Sequence, residues 1–443
     1  MLSKEQLYAI IDTVVAAAKG YNAQVLVMNQ AEGLTRFANS EIHQNVHEDK
    51  TEVTIIITTA NKRSEIKTSL FSETGLQEAT AEAIANLKFL PEGDEQPPLV
   101  DSPAEITADS FNPQLEAACG IEERAQKVKE CLDTLDSDYL AYGALTYAEH
   151  QIAVGNSLGI RRFARGNNAN FSVIVAGPKG SGYGETMANT PEDFEYQRAF
   201  ATACEKARLN QNPEELTPGA YTVILEPVAV GDLMTFISYL GFSGKSVLNQ
   251  FSFLTGKLGE QVFDPRVTIV DDCENPNTLQ LPFDFEGAPR QQVKLIEQGV
   301  AKALTYDMAS ARLAGTETTG HSVNMPDMGG LPLNLVMDGG DESLEEIIAN
   351  TEEGLLITRF HYMNPVNPRN AQLTALTRDG VFKIKHGKIV GSVKTMRFTE
   401  SMLQAFNNIE AISRERQRTS FFFGNYYVPA LKIKDFHFTG NAD

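Results

Sequence analysis

Between Ala23 and Phe71 the chain alternates apolar and polar residues in short runs, and this pattern restricts the fold more than any other feature. "AQVLVMN", "LTRFANSEI", "TEVTIIITT" and "SEIKTSLF" have the two-residue period of half-buried strands. Asn61-Lys62 supplies the turn between the last two. Runs of this period joined by tight turns pair antiparallel. Helices are expected on either side. Ser3 and Gln6 form a capping-box pattern. Leu7, Ile10, Ile11, Val14, Val15 and Ala18 follow at helical spacing, and Gly20 stops the run. A second helix is predicted from about Thr74 to Leu87. Residues 1–90 therefore read as helix, antiparallel meander, helix.

The same order recurs. Asn112-Pro113 opens a helical stretch reaching about Leu135, with proline in the first turn. "YGALTYAEHQIAVGN", "GIRRFARG" and "NFSVIVAG" read as strands, and a helix from about Pro191 to Leu209 closes the unit. "GLTRFA" (Gly33–Ala38) and "GIRRFA" (Gly159–Ala164) differ at two places and are expected at matching points of two related halves, 1–90 and 112–213. Pro91, Pro97, Pro98, Pro103 and Pro113 mark the linker between them. Pro213 and Pro218-Gly219 mark the next boundary. Beyond it, "LEPVAVGDLMTFISYL" reads as the end of a buried strand, a proline-marked turn and an amphipathic helix on which Phe236 and Leu240 share a face. Short strands are predicted to the end, with helices near Leu304–Leu313 and Leu344–Thr351. The predicted fold class is α+β. An N-terminal α+β domain of helix–meander–helix units covers 1–213, and a β-rich C-terminal domain covers 219–443.

Composition excludes several function classes. With 42% hydrophobic and 22% charged residues, the chain is an ordinary globular one. Lys and Arg number 38 against 58 Asp and Glu, a net charge of −20 that repels phosphate backbones, so no direct nucleic-acid binding is expected. No apolar run reaches the ~18 residues of a membrane helix. The first residues carry acidic groups and a helical stripe, unlike a signal peptide, which points to the cytoplasm. Cys119, Cys131, Cys204 and Cys273 are scattered without a CxxC pair, so buried free thiols are expected.

No motif supplies self-evident chemistry. "GFSGKS" (Gly241–Ser246) resembles the end of a phosphate-binding loop, but Tyr239 stands where that loop needs glycine, and a helix precedes it. "GPKGSGYGE" (Gly177–Glu185) lacks the strand-then-helix setting of a dinucleotide site and reads as a flexible connection. "GNSLG" (Gly155–Gly159) matches GxSxG, yet it joins two strands as a hairpin turn, which argues against Ser157 as a nucleophile. His43 and His47 lie four apart on a predicted strand, where four residues span about 13 Å, too far to converge on one ion. His150, His321, His361, His386 and His437 stand alone, with His321 set among loop residues and expected to be structural. Asp271-Asp272 and Asp338 with Asp341 read as solvated acids.

The chain resembles the TldD/PmbA family of peptidases and peptidase-like proteins. The resemblance rests on "RFANSEIHQN", "VILEPVAVGDLM", "FLTGKLGEQVFDPRVTIVDD" (Phe253–Asp272), "ARLAGTETTGHS", "GGDESLEEIIANTEEGLLITR" (Gly339–Arg359) and "VPALKIKDFHF". It implies that in the TldD branch the helix after the first C-terminal strand carries HExxxH, with a cysteine near the C-terminus as third zinc ligand. Laid on this chain, HExxxH falls at Thr235, Phe236, Ile237, Ser238, Tyr239 and Leu240, and no cysteine follows Cys273. Zinc hydrolysis needs three protein ligands and a base to activate water. Thr235 and Leu240 bind no zinc usefully, and Phe236 accepts no proton. The resemblance is thus to the PmbA (TldE)-like branch, with no catalytic, metal or cofactor residues expected.

That branch implies a TldD-like zinc peptidase subunit as partner, a homodimer when alone, and an unfolded or leader-bearing peptide as substrate. The stretch Phe360–Ile389 departs from the main PmbA type, with "TRDG" (Thr377–Gly380) read as a turn. Three readings follow. The first is a non-catalytic subunit active only with a zinc-bearing partner. The second is a regulatory protein of the gyrase-modulator type without proteolysis. The third is a self-contained hydrolase built around His321 or Arg378-Asp379.

Overall fold

The structure, a computed structural model, describes residues 1–102, 104–421 and 424–441. Helix α1 (Lys4–Ala17) starts from the Ser3–Gln6 capping box and buries Leu7, Ile10, Ile11 and Val14. Strand β1 (Asn22–Ala38) pairs antiparallel along its length with β2 (Glu41–Thr58). The sequence predicts two strands where β1 is one, because Gly33 resembles a break. That glycine serves packing: a Cβ there would meet the Arg124 guanidinium at 2.2 Å. The reversal lies at Asn39-Ser40, both left-handed (φ 51° and 61°), as a tight two-residue hairpin requires. Strand β3 (Arg63–Thr68) follows the Asn61-Lys62 turn, and α2 (Glu73–Asn86) closes the unit.

The proline-rich connection contains β4 (Ile106–Ser110). Helix α3 (Pro113–Ala118) is capped by Asn112 and is followed by α4 (Ile121–Leu132). Then come β5 (Leu140–Asn156), β6 (Arg161–Ala176), β7 (Ser181–Ala188) and α5 (Tyr196–Leu209). These strands form one sheet in the order β3-β2-β1-β5-β6-β4, with β7 beside the second half of β6. Strand β4 runs parallel to β6, and the other pairs are antiparallel. The helix–meander–helix order does recur, but the two hexapeptides do not mark it. Gly33–Ala38 ends β1, the first strand of its meander, whereas Gly159–Ala164 leads into β6, the second strand of its own.

The second sheet begins with β8 (Gly219–Leu225), α6 (Pro227–Ile237), a π-helical turn (Ser238–Phe242) and α7 (Gly244–Leu248). Short strands β9 (Ile269–Asp271), β10 (Val293–Glu297) and β11 (Val300–Ala301) precede α8 (Met308–Ala314), β12 (Asn334–Met337) and α9 (Leu344–Ala349). The remainder is β13 (Glu353–Asn367), β14 (Gln372–Lys385), β15 (Lys388–Ser392), β16 (Met396–Ser401), α10 (Met402–Asn407), β17 (Ile409–Phe421) and β18 (Gly424–Asn441). The order β18-β16-β14-β13-β8 closes on itself because β8 also pairs with β18, which makes a barrel. The fold is therefore α+β with a β-rich C-terminal part.

Where short strands were predicted, β13, β14 and β18 are long, because left-handed residues bend them without ending them. Tyr362 (φ 52°), Asp379 (φ 53°) and Asp435 (φ 53°) sit at register jumps. "TRDG" is accordingly a bulge and not a turn: pairing passes from Ile357↔Val381 to Arg359↔Arg378. Phe398, Phe406 and Phe436 fill the core of this part. The two sheets meet where Leu281 and Phe283 pack on Leu26, Ile152, Val154 and Ala164. Among the described residues, no helix is long and apolar enough to cross a membrane.

Candidate functional site

Helix α6 is the element on which the sequence places its degenerate site. Pro227 starts it, with no N–H to leave unpaired. Just before it, the Glu226 carboxylate accepts a bond from Lys206 Nζ of α5 at 2.5 Å, with both side chains mostly buried. Leu233, Met234 and Ile237 enter the core, while Asp232, Thr235 and Phe236 face two cavities. Thr235 is buried, and its hydroxyl donates to the Gly231 carbonyl (3.2 Å). Phe236 and Leu240 do not share a face as expected. The π-helical turn that starts at Ser238 changes the phase of the helix, so Leu240 turns into the core and Phe236 stays half-buried between the cavities.

One cavity, of about 230 Å³, is apolar and is lined by Thr235, Phe236, Tyr239, Leu331, Leu333 and Tyr426 among others. The other, of about 220 Å³, is polar, and its walls come from both sheets: Tyr183 and Glu185 of β7, Asp232 of α6, and Arg359 and His361 of β13. The Tyr183 hydroxyl donates to Glu185, and the Phe360 amide donates to Asp232 Oδ2 (3.1 Å). Arg359 Nε donates to Asp379 Oδ2 (2.8 Å), and its guanidinium lies over the Tyr183 ring, 4.1 Å from the centroid. Burial raises the Glu185 pKa above the usual carboxylate range and raises that of Tyr183 well above a free phenol's. Burial also lifts Asp232 to about 7. Its Phe360 hydrogen bond opposes the shift, Glu185 adds to it, and Arg359 opposes it.

An acid with a raised folded-state pKa stabilises the fold while protonated. That contribution is full below the ordinary carboxylate pKa of about 4 and is lost as pH rises through about 7. Asp232→Asn should therefore flatten the fall in melting temperature between about pH 4 and 7. Some slope should remain from Glu185, which shares the cavity. Melting curves across that range check it, and an unchanged slope would mean that Asp232 is ionised throughout.

The other predicted residues are dispersed. His43 and His47 are exposed on β2, with His47 Nε2 3.4 Å from Asp49. Ser157 lies in the β5–β6 hairpin turn, where its hydroxyl accepts from the Ala23 amide (3.2 Å). The Gly177–Glu185 run is only partly a connection: from Ser181 onward it is β7. A Cβ at Gly182 or Gly184 would meet the α5 carbonyls of Ala203 or Ala199 at 2.2 or 1.9 Å, so these glycines let α5 lie against the sheet. Gly241–Ser246 spans the end of the π-helical turn and the start of α7.

His321 is fully buried, with Nε2 3.0 Å from Asp271 Oδ1 and Nδ1 2.8 Å from the Thr319 carbonyl. His150 is half-buried, and burial lowers its pKa to about 4. His386 pairs with Glu352 beside an exposed hairpin, and His437 Nδ1 meets Glu400 at 2.7 Å. The four cysteines are buried free thiols. Among the described residues, no three His, Cys, Asp or Glu side chains form a group fit to hold a metal. Sequence reasoning passed over Glu185, Asp232 and Arg359. The available signal was Asp232, the one charged residue in the apolar run Pro227–Ile237.

Residues 218–440 match the model of the PmbA/TldA metallopeptidase C-terminal domain. The chain belongs to the TldD/PmbA family. Within this family it is 28% identical to the metalloprotease TldD homologue of Haemophilus influenzae over 48% of this chain and 44% of that one. It is 24% identical to metalloprotease PmbA of Escherichia coli O157:H7 over 75% and 71%. The chain spans about half the length of the first curated relatives it matches, 44% and 56%. TldE from Thermococcus kodakarensis has the same fold, with a TM-score of 0.88 at 19% identity over 98% of this chain and 100% of that one. A candidate DNA gyrase modulator from Thermotoga maritima superposes at 0.82 and 22%, over 98% and 100%. A zinc of the kind the resemblance implies for HExxxH-bearing members does not fit at Thr235, Phe236 and Leu240, because a hydroxyl, a phenyl ring and an isobutyl group offer neither a ligand set nor a base.

Proposed function

We propose that this chain is a metal-free, non-catalytic subunit of a TldD/TldE-type peptidase. It holds an unfolded or leader-bearing peptide along α6, and a zinc-bearing TldD-like partner cuts that peptide. One observation carries the reading. Where the resemblance implies two zinc ligands and a base stand Thr235, Leu240 and Phe236, yet two cavities of peptide side-chain size still open along that helix. In the same reading residues 1–213 and 219–443 are the two domains, with the polar cavity drawing walls from both. Alone, the chain forms a homodimer through the surface it would offer its partner.

A self-contained hydrolase is disfavoured. His321 and Asp271 are sealed from solvent, and Asp379 is bound by Arg359 and by Ser181 (2.6 Å). A gyrase-modulator role borrowed from the Thermotoga relative would have to act through protein contacts, since a net charge of −20 opposes DNA. The direct test is fluorescence anisotropy of a labelled unfolded peptide with the purified chain in chelator. Binding without turnover is expected. Absence of binding to the chain, both alone and with a TldD-type relative, would remove the reading.

A further inference from the structure

The polar cavity says which peptides the groove should favour, an inference that rests on the proposed function and deepens it. Glu185 is held by the Tyr183 hydroxyl and Asp232 by the Phe360 amide, both of them uncharged donors. The guanidinium lining the cavity, Arg359, is already paired with Asp379. Its charge is largely balanced there, which leaves two carboxylates without a counter-ion of their own. The cavity also has an unused polar group. Thr419 is 5% exposed and lines the wall, and none of the described residues hydrogen-bonds its hydroxyl. Across Phe236 lies the second cavity, whose lining contains no charged side chain. An acid-lined and an apolar compartment thus share one phenylalanine wall.

We propose that the groove selects peptides presenting a primary ammonium or guanidinium group to Glu185, Asp232 and Thr419 and a large apolar side chain to the compartment beyond Phe236. Burial without a counter-ion holds both acids toward their protonated forms, and a ligand cation that pairs with both offsets the cost of ionising them. An ammonium or guanidinium brings several donors, enough for both carboxylates and the Thr419 hydroxyl. The apolar compartment adds affinity through a side chain removed from water and fixes the peptide's register. The cation can come from a lysine or arginine side chain or from the peptide's amino terminus.

The test uses the full chain and a labelled, unstructured peptide, blocked at both ends and carrying one phenylalanine and one lysine two positions apart. Its affinity is compared with that of versions in which norleucine or glutamate replaces lysine, or alanine replaces phenylalanine. Norleucine should bind about tenfold more weakly and glutamate more weakly still. In the double variant Glu185→Gln, Asp232→Asn the lysine preference should vanish, while the norleucine peptide binds as it does to the unaltered chain, which reports an intact groove. If unblocking the amino terminus restores binding of the norleucine peptide, the cation is the terminal one. Equal binding of the lysine and norleucine peptides would overturn the inference and leave the peptide groove standing. Failure of every peptide to bind would instead sink the reading beneath it.

Discussion

Arg162→Met should lower the unfolding free energy by about 3–5 kcal/mol, read as a shift in the urea midpoint. Arg162 is fully buried. Its Nε donates to the Gly287 carbonyl (2.9 Å), Nη2 to that of Ser102 (3.1 Å), and Nη1 to those of Arg161 (3.2 Å) and Ala104. One guanidinium therefore ties β6 to the proline-rich connection and to a loop of the second sheet. Methionine retains much of the stem's apolar packing but donates nothing, so carbonyls sealed from water lose their partner. A charged hydrogen bond contributes about 1.5–3 kcal/mol, and those sharing one group do not add. Amide exchange should also quicken around residues 100–105 and 284–288. An unchanged midpoint would mean that water replaces the guanidinium at these carbonyls.

Asp379→Ala should cost about 3–5 kcal/mol, because it removes one partner of a largely buried ion pair. The Asp379 side chain is 4% exposed. It accepts from Arg359 of β13 and from Ser181 of β7, so it pins the first sheet to the barrel. Alanine strands Arg359 over Tyr183 and also strains the left-handed bulge, which aspartate tolerates better. Asp379→Asn retains that backbone preference and can still bond Ser181, so it should lose clearly less. Equal losses for the two variants would show that the charge and not the bulge dominates.

These two residues illustrate what the sequence discloses. Local signals were legible: the Ser3–Gln6 box, the helix start at Asn112-Pro113, the Asn61-Lys62 turn and the hairpin at Ser157 each depend on neighbours a few residues apart. Glycines misled where their purpose lay elsewhere in the chain. Gly33 leaves room for Arg124, and Gly182 and Gly184 leave room for α5, so neither marks a break. "TRDG" has turn composition, yet the same left-handed preference makes a bulge when strands on both sides continue. The identities at Thr235, Phe236 and Leu240, on which the resemblance turns, were legible because they stand at fixed positions on one segment. The acid-lined cavity was not, since Glu185, Asp232 and Arg359 come from three elements that only the docking of β7 against the barrel brings together.

The central claim is that this chain serves peptide cleavage without performing it. The most direct measurement incubates an unfolded reporter peptide with the purified chain alone, with a HExxxH-bearing TldD-type relative alone, and with both, while bound zinc is quantified by elemental analysis. The account predicts no stoichiometric zinc on this chain and no cleavage by it alone. Cleavage should appear, or rise sharply, when the two are combined, and chelator should abolish it. Cleavage by this chain alone in chelator, or a stoichiometric zinc retained by it, would contradict the account.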